Sequence, residues 1–416
     1  MQTPDVDLAI VGGGIVGLSC ALHAALRGRS VALIDPADAP ARASFGNAGV
    51  ISRGSLFPVA GPGLWRNLAR YASNADPALQ LRYRSLPAAG PWLRRFLDHA
   101  NEAAWRRAAA ALDPLTAASF DEHLHLAEAA GARDLIARHG YLKLYRTEAA
   151  FAGSALEREI LGIHKVRTEV LNADEVASAE PALTRRFARG LLFTESGSVA
   201  HPGELVARYR AALSGLGARM VEARCERLEP GADVVLVGWS GGTLLARQAV
   251  LAAGAWSDAL ARRLGYRFPL AAERGYHRHY RVARNLTRPV HDTGGAYVLS
   301  PMGETVRLLS GIEIAKPDDP PNPRQLVRVL PEASATLALG EPVEPASWCG
   351  SRPSTPDGLP VIGRAPRHPN LIFAFGHGHI GLSTGPVTGR IVADLADQRS
   401  APLPVEPFAP ERFGRL

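Results

Sequence analysis

The sequence predicts an α/β fold of two interleaved units, one Rossmann-like and one built on a mixed sheet, and three observations carry that expectation. The first thirty-five residues run strand, glycines, helix, strand, acid. The chain has 416 residues, 46% of them hydrophobic, which exceeds what one core usually holds. The nucleotide-type pattern breaks off after about residue 80 and resumes near Gly197, so the second unit is inserted into the first.

The opening run is read residue by residue. Leu8-Ala9-Ile10-Val11 is an apolar strand, and Gly12, Gly14 and Gly17 follow at the spacing of a dinucleotide motif. Gly12 permits the tight turn off the strand, Gly14 lets a pyrophosphate approach the backbone, and Gly17 lets the helix lie close on the sheet. Ile15 and Val16 open a helix that runs to about Arg27, with Gly28 as its left-handed stop, and its first amides face the phosphates. Val31-Ala32-Leu33-Ile34 is the second strand, and Asp35 at its carboxyl end accepts hydrogen bonds from ribose hydroxyls. The motif specifies a dinucleotide and does not separate NAD from FAD.

A loop, Pro36 to Arg42, leads into Ser44-Phe45-Gly46-Asn47-Ala48-Gly49, whose small residues leave room along the edge of a flat ring system. From Pro87 to Arg138 the pattern is helical, with Trp92, Leu93, Phe96 and Leu97 as core, and Tyr141 to Tyr145 alternates as a strand. His201 orders the turn before a helix over Leu205 to Leu213, and strands follow near Ala218 to Cys225, at Val234 to Val237 and at Gln248 to Leu251. The last ends in Ala252-Ala253-Gly254-Ala255-Trp256-Ser257, small residues at the mouth of a sheet, where ligands sit in open α/β sheets.

Residues from Phe268 to Pro345 read as strands and loops, with Glu273-Arg274-Gly275-Tyr276-His277 as a polar group at a pocket wall and the proline-rich stretch from Pro317 to Pro323 as a surface connection. Near the C-terminus Gly350-Ser351-Arg352-Pro353 precedes a strand, Leu371 to Phe375. That strand opens into Gly376-His377-Gly378-His379-Ile380-Gly381-Leu382-Ser383 and a helix through Val387 to Leu395. Amides at the start of that helix face an anion or a polarised carbonyl.

Composition narrows the function classes. The net charge is +7 and the pI about 9.6, but Lys143, Lys165 and Lys316 are the only lysines, and no basic run interleaves with aromatics, which argues against nucleic acid. Attraction to an anionic membrane face stays open. Cys20, Cys225 and Cys349 have neither metal nor disulfide spacing and read as small buried residues in a reducing cytoplasm. The first residues lack a positive and apolar leader pattern, and no apolar run reaches the length of a spanning helix.

Taken together, GGGIVG with Asp35, SFGNAG, HPGEL, AAGAWS, ERGYH, GSRPSTPDGLPVIG and FGHGHIGLSTGP resemble, in this order, the D-amino-acid oxidase superfamily, and among its members the bacterial FAD-dependent D-amino-acid dehydrogenases and D-hydroxyproline dehydrogenases. The resemblance implies an FAD-binding domain of the glutathione-reductase type, discontinuous over 1–80, 197–265 and 349–416, and a substrate domain over 81–196 and 266–348. It implies FAD with its pyrophosphate on Gly12, Gly14 and Gly17 and ribose on Asp35. Arg42 and Ser44 would lie near ribose and phosphates, Cys225 near adenine, Gly46, Asn47, Ala48 and Gly49 along the flavin, and Gly254 and Trp256 at the cofactor. Gly378, His379 and Ser383 would also lie at the cofactor, and the amides of Gly381 and Leu382 at the pyrimidine end of the ring, where donors stabilise growing negative charge.

Arg352 is expected to bind an amino-acid carboxylate through its planar fork, with Tyr276, His277 and His379 as pocket walls or proton handlers. The implied reaction takes hydride from Cα to flavin N5 and leaves an imino acid. The cyclic amines D-proline and cis-4-hydroxy-D-proline suit it as well as an acyclic D-amino acid. Electrons go to a quinone or respiratory acceptor, and partner subunits and peripheral contact with the inner face of the cell membrane stay open. Two other readings are an oxidase of the glycine or sarcosine kind, marked by peroxide release, and a flavin-binding accessory subunit without turnover, marked by flavin that no amine bleaches.

Overall fold

The computed structural model describes residues 3–36 and 42–414. Of the loop expected over Pro36 to Arg42, residues 37–41 lie outside the described ones.

Two large sheets carry the chain. In the first, β1 (Val6–Val11) enters α1 (Ile15–Leu26), which stops at Arg27 and Gly28 (φ +80°), and returns as β2 (Val31–Ile34). β1 pairs in parallel with β2 on one side and with the strand Gly242–Leu251 on the other, which in turn pairs in parallel with the strand His368–Phe375. Their carboxyl-terminal parts, Leu8 to Val11, Val31 to Ile34, Ala249 to Leu251 and Leu371 to Phe375, are buried apolar runs, as expected of parallel strands inside an α/β sheet. The short strand Arg219–Val221 extends the sheet beyond β2, and Val235–Trp239 and Arg227–Pro230 extend it antiparallel on the far side.

The second sheet has eleven strands among the described residues, and its centre is β3 (Ala271–Val282). Along β3 lies β4 (Trp348–Ser354), in the register Glu273↔Arg352, Gly275↔Gly350 and His277↔Trp348. Side chains of paired residues share a face, and faces alternate along a strand. One face therefore carries Glu273, Gly275 and His277 with Arg352 and Trp348. The other carries Arg274 and Tyr276 with Cys349, and it is covered by the helix Arg324–Thr336, whose Leu326, Val329 and Ala333 join Tyr276 in one core.

Several elements differ from the sequence expectation. The helix Arg324–Thr336 falls where strands and loops were expected, its apolar stripe broken up in the sequence by Pro331. The last helix, α2 (Gly381–Ala396), begins six residues earlier than Val387 and runs through Pro386. Proline has no N–H to give the Leu382 carbonyl four residues back, and His123 Nε2 donates to that carbonyl instead, at 2.7 Å. The strand expected to reach Cys225 ends at Val221. Cys20 and Cys225 are buried, whereas Cys349 is half-buried.

Candidate active site

Parallel strands that end at one edge leave a cleft there. β1, β2, Gly242–Leu251 and His368–Phe375 all deliver their carboxyl ends to it, followed by Gly12 to Val16, Asp35 to Pro36, Ala252 to Trp256 and His377 to Leu382, and these segments line a cavity of about 320 Å³. Gly12 makes the turn at φ +110°, and a Cβ on Gly17 would fall within 3.0 Å of the Gly12 carbonyl, so both glycines are required by the backbone itself. Gly14 differs: an added Cβ meets only Ser44 Oγ, at 3.4 Å. Its bareness leaves a backbone cradle in the cleft at the start of α1, whose Ile15 N–H donates to Ser44 Oγ at 3.0 Å.

Asp35 is 5% exposed and accepts from Gly13 N–H at 2.7 Å. Burial raises its pKa, and the Arg42 guanidinium, which pairs with it, opposes that shift. Glycine cradle, helix start and acid fit the pyrophosphate and ribose of a dinucleotide.

Of the other residues expected at the cofactor, Arg42, Ser44, Asn47, Cys225, Gly254 and Trp256 line the cleft, as do Arg352, Gly378, Gly381 and Leu382. Burial pushes the Cys225 thiol up to about 11. Gly46, Ala48 and Gly49 flank Asn47 outside the lining, and Gly49 N–H donates to Asn47 Oδ1 at 2.9 Å. Ser383 holds α2 to the strand Val50–Ile51: its hydroxyl donates to the Val50 carbonyl at 3.0 Å and accepts from Ser52 N–H at 3.2 Å.

Arg352 reaches the cleft from β4, and burial lowers its pKa. Beside it Glu273 is 1% exposed; its Oε1 accepts from Ser354 Oγ at 2.8 Å and its Oε2 has no hydrogen-bond partner. Burial raises the Glu273 pKa, with Arg352 acting against that shift. Glu273 and His379 line a small cavity that shares His377 and Gly378 with the main cleft. His379 is exposed, and desolvation by the protein around it, with Arg352 and Lys143 adding to that effect, lowers its pKa to about 4.

Tyr276 and His277 are placed differently from the sequence expectation. Tyr276 stands on the covered face, away from Arg352, donating to Glu313 Oε2 at 2.5 Å and accepting from Asn322 N–H at 2.9 Å. His277 shares the face of Arg352 but is 2% exposed, stacks on Trp348 with centroids 4.7 Å apart, and bonds through Nδ1 to the Gly46 carbonyl at 3.1 Å. A carbonyl only accepts, so Nδ1 carries the proton, and burial, reinforced by Arg307 and His279, lowers the pKa to about 2.

Arg307 is a residue the sequence did not single out. It is 5% exposed and donates to the carbonyls of Phe45 and Asn47 through Nη1 and to His279 Nε2 at 2.9 Å through Nε. His279 in turn pairs with Glu344 through Nδ1. The relay ties the Phe45 to Asn47 backbone to the large sheet. No spacing links residue 307 to residue 47, so only the fold reveals it.

The glycine cradle and Asp35 define a dinucleotide-dependent enzyme. The family described as FAD dependent oxidoreductase, DAO, matches residues 7–395, and the chain belongs to that family and uses FAD. It is 34% identical over 421 residues to a D-amino-acid oxidase of Bradyrhizobium diazoefficiens, with 98% of each chain covered. It is 29% identical to a D-amino acid dehydrogenase of Sinorhizobium medicae, covering 98% of this chain and 100% of the other. A glycine oxidase from Geobacillus kaustophilus shares the fold, with a TM-score of 0.77, 23% identity and 98% of each chain covered.

Proposed function

We propose that the protein oxidises a D-amino acid to an imino acid, which water hydrolyses or which, for a substrate such as D-proline or cis-4-hydroxy-D-proline, is already cyclic. The observation that carries this reading is a pair of opposite charges on neighbouring strands, Arg352 in the cleft and Glu273 in the small cavity that adjoins it, opposite each other across β3 and β4. A zwitterion has the complementary pair. The Arg352 fork binds the carboxylate through two oxygens, and Glu273 Oε2, free of other partners, accepts from the ammonium and takes its proton. Holding both ends fixes the Cα–H bond, so rate comes from orientation. Bound FAD supplies the two-electron acceptor. The amides of Gly381 and Leu382 at the start of α2 set a positive dipole end at the cleft, where negative charge is stabilised.

In this reading the electrons pass on to an acceptor other than O₂, as the name D-amino acid dehydrogenase of one relative supports, and we take that acceptor to be a quinone or respiratory carrier at the inner face of the cell membrane. Transfer to O₂ with peroxide release is the second reading, favoured by the relative named an oxidase. The test is anaerobic mixing with D- and L-amino acids, D-hydroxyproline and sarcosine while the oxidised flavin band is followed, then admission of air. Bleaching by the D series supports the proposal, and prompt reoxidation in air selects the oxidase. A band that no amine bleaches rejects both.

A further inference from the structure

Residues 59–95 carry six arginines and one acid, Asp76. Four of the large hydrophobic side chains most exposed among the described residues fall in the same segment: Val59 at 42%, Trp65 at 52%, Leu68 at 39% and Tyr83 at 55%. Arg66, Arg70, Arg84, Arg94 and Arg95 are exposed among them. Arg70 pairs with Asp76 at 3.1 Å, and Arg82 is turned inward to Glu313 at 3.2 Å.

Hydrogen bonds and a shared core tie the segment together. Trp65 Nε1–H donates to the Ala100 carbonyl at 3.0 Å, just past the end of the helix Leu86–Asp98, and Tyr83 O–H donates to the Ala72 carbonyl at 2.7 Å. Both polar tips are thereby satisfied by backbone, while each residue stays more than half exposed. Beneath lie Trp92, Phe96 and Ala100 as a small core. Val59 and Phe96 also line the small cavity that holds Glu273 and His379, so the segment borders that cavity.

We propose that this surface docks on an anionic lipid bilayer. Exposed apolar side chains enter the interface of a bilayer, and the arginines beside them meet anionic headgroups. Among the described residues no helix is long and apolar enough to cross a membrane, so the contact is peripheral. The functional sense of the docking rests on the bilayer acceptor proposed above; the docking itself does not.

The test uses the FAD-loaded full-length protein, sedimented with vesicles of phosphatidylcholine alone or mixed with phosphatidylglycerol, at low and high salt. The wild type is expected to pellet with the anionic vesicles only, and less at high salt. Arg66→Glu with Arg84→Glu is expected to reduce pelleting by about tenfold or more, each arginine counting for about fivefold. Trp65→Ala with Leu68→Ala reduces it too, whereas Val327→Ala, an exposed residue elsewhere, leaves it unchanged. A wild type that stays in the supernatant, or double variants that pellet like the wild type, overturns the proposal. So does a dimer that the same variants dissolve without any vesicle binding, which assigns the surface to a second copy. Substrate oxidation with a soluble dye, measured without vesicles, reports separately on the function.

Discussion

The guanidinium of Arg352 lies on the backbone of Gly275: a Cβ at Gly275 would come within 3.0 Å of its Nη1, Nη2 and Cζ. The glycine of the ERGYH block is thus the seat of the arginine two strand positions across the sheet, and the two blocks meet there.

Gly275→Ala is therefore expected to displace Arg352 and lower kcat/KM by about tenfold to a hundredfold, the rate equivalent of about 1–3 kcal/mol of overpacking, while FAD stays bound. Steady-state kinetics on the yellow protein check it. Unchanged kcat/KM would show that the arginine does not depend on this seat.

Gly17 and Gly14 are expected to separate folding from cofactor retention. Gly17→Ala drives a methyl into the Gly12 carbonyl and costs about 1–3 kcal/mol of stability, read as a lower Tm. Gly14→Val meets little protein, so the apoprotein melts near the wild-type temperature but purifies colourless. A yellow Gly14→Val protein would remove the pyrophosphate from this cradle.

Arg307→Met should free the carbonyls of Phe45 and Asn47 and weaken FAD binding by about tenfold or more, the loss of charge-assisted hydrogen bonds worth about 1.5–3 kcal/mol. Arg307→Lys is expected to restore part of it. Recovery of flavin fluorescence on dilution measures the release, and equal retention in all three proteins would leave Arg307 without a part in holding the loop.

Acid should destabilise the fold. Burial lowers the pKa of His23 to about 3, His123 to about 4, His277 to about 2 and His377 to about 3. Unfolded imidazoles titrate near 6.5, so below about pH 6.5 the unfolded state binds more protons than the native one. Stability is full above that pH and falls beneath it, by up to about 1.4 kcal/mol per histidine and pH unit. Tm measured at about pH 7 and about pH 5 checks the sign; a Tm that rises on acidification contradicts it.

Much of this was legible in the sequence where the causes are local. The turn at Gly12, the helix from Ile15 and the acid at Asp35 each follow from neighbours within a few residues, whereas Arg352 is reached only through the family resemblance that its block carries. What the sequence hid depends on strand parity and long-range pairing. Tyr276 and His277 are adjacent, yet the pleat sends them to opposite faces, and Glu273 joins Arg352 only through the pairing of β3 with β4. Arg307 meets the loop at Asn47 only after the large sheet has formed.

The most direct test of the central claim is the rate of anaerobic flavin reduction by paired D- and L-alanine in the wild type and in Arg352→Met. Reduction by the D enantiomer alone is expected in the wild type, and in the variant a loss equivalent to about 2–5 kcal/mol, as for one partner of a buried charge pair, with FAD still bound. Equal reduction by both enantiomers, or a variant as fast as the wild type, would contradict the account.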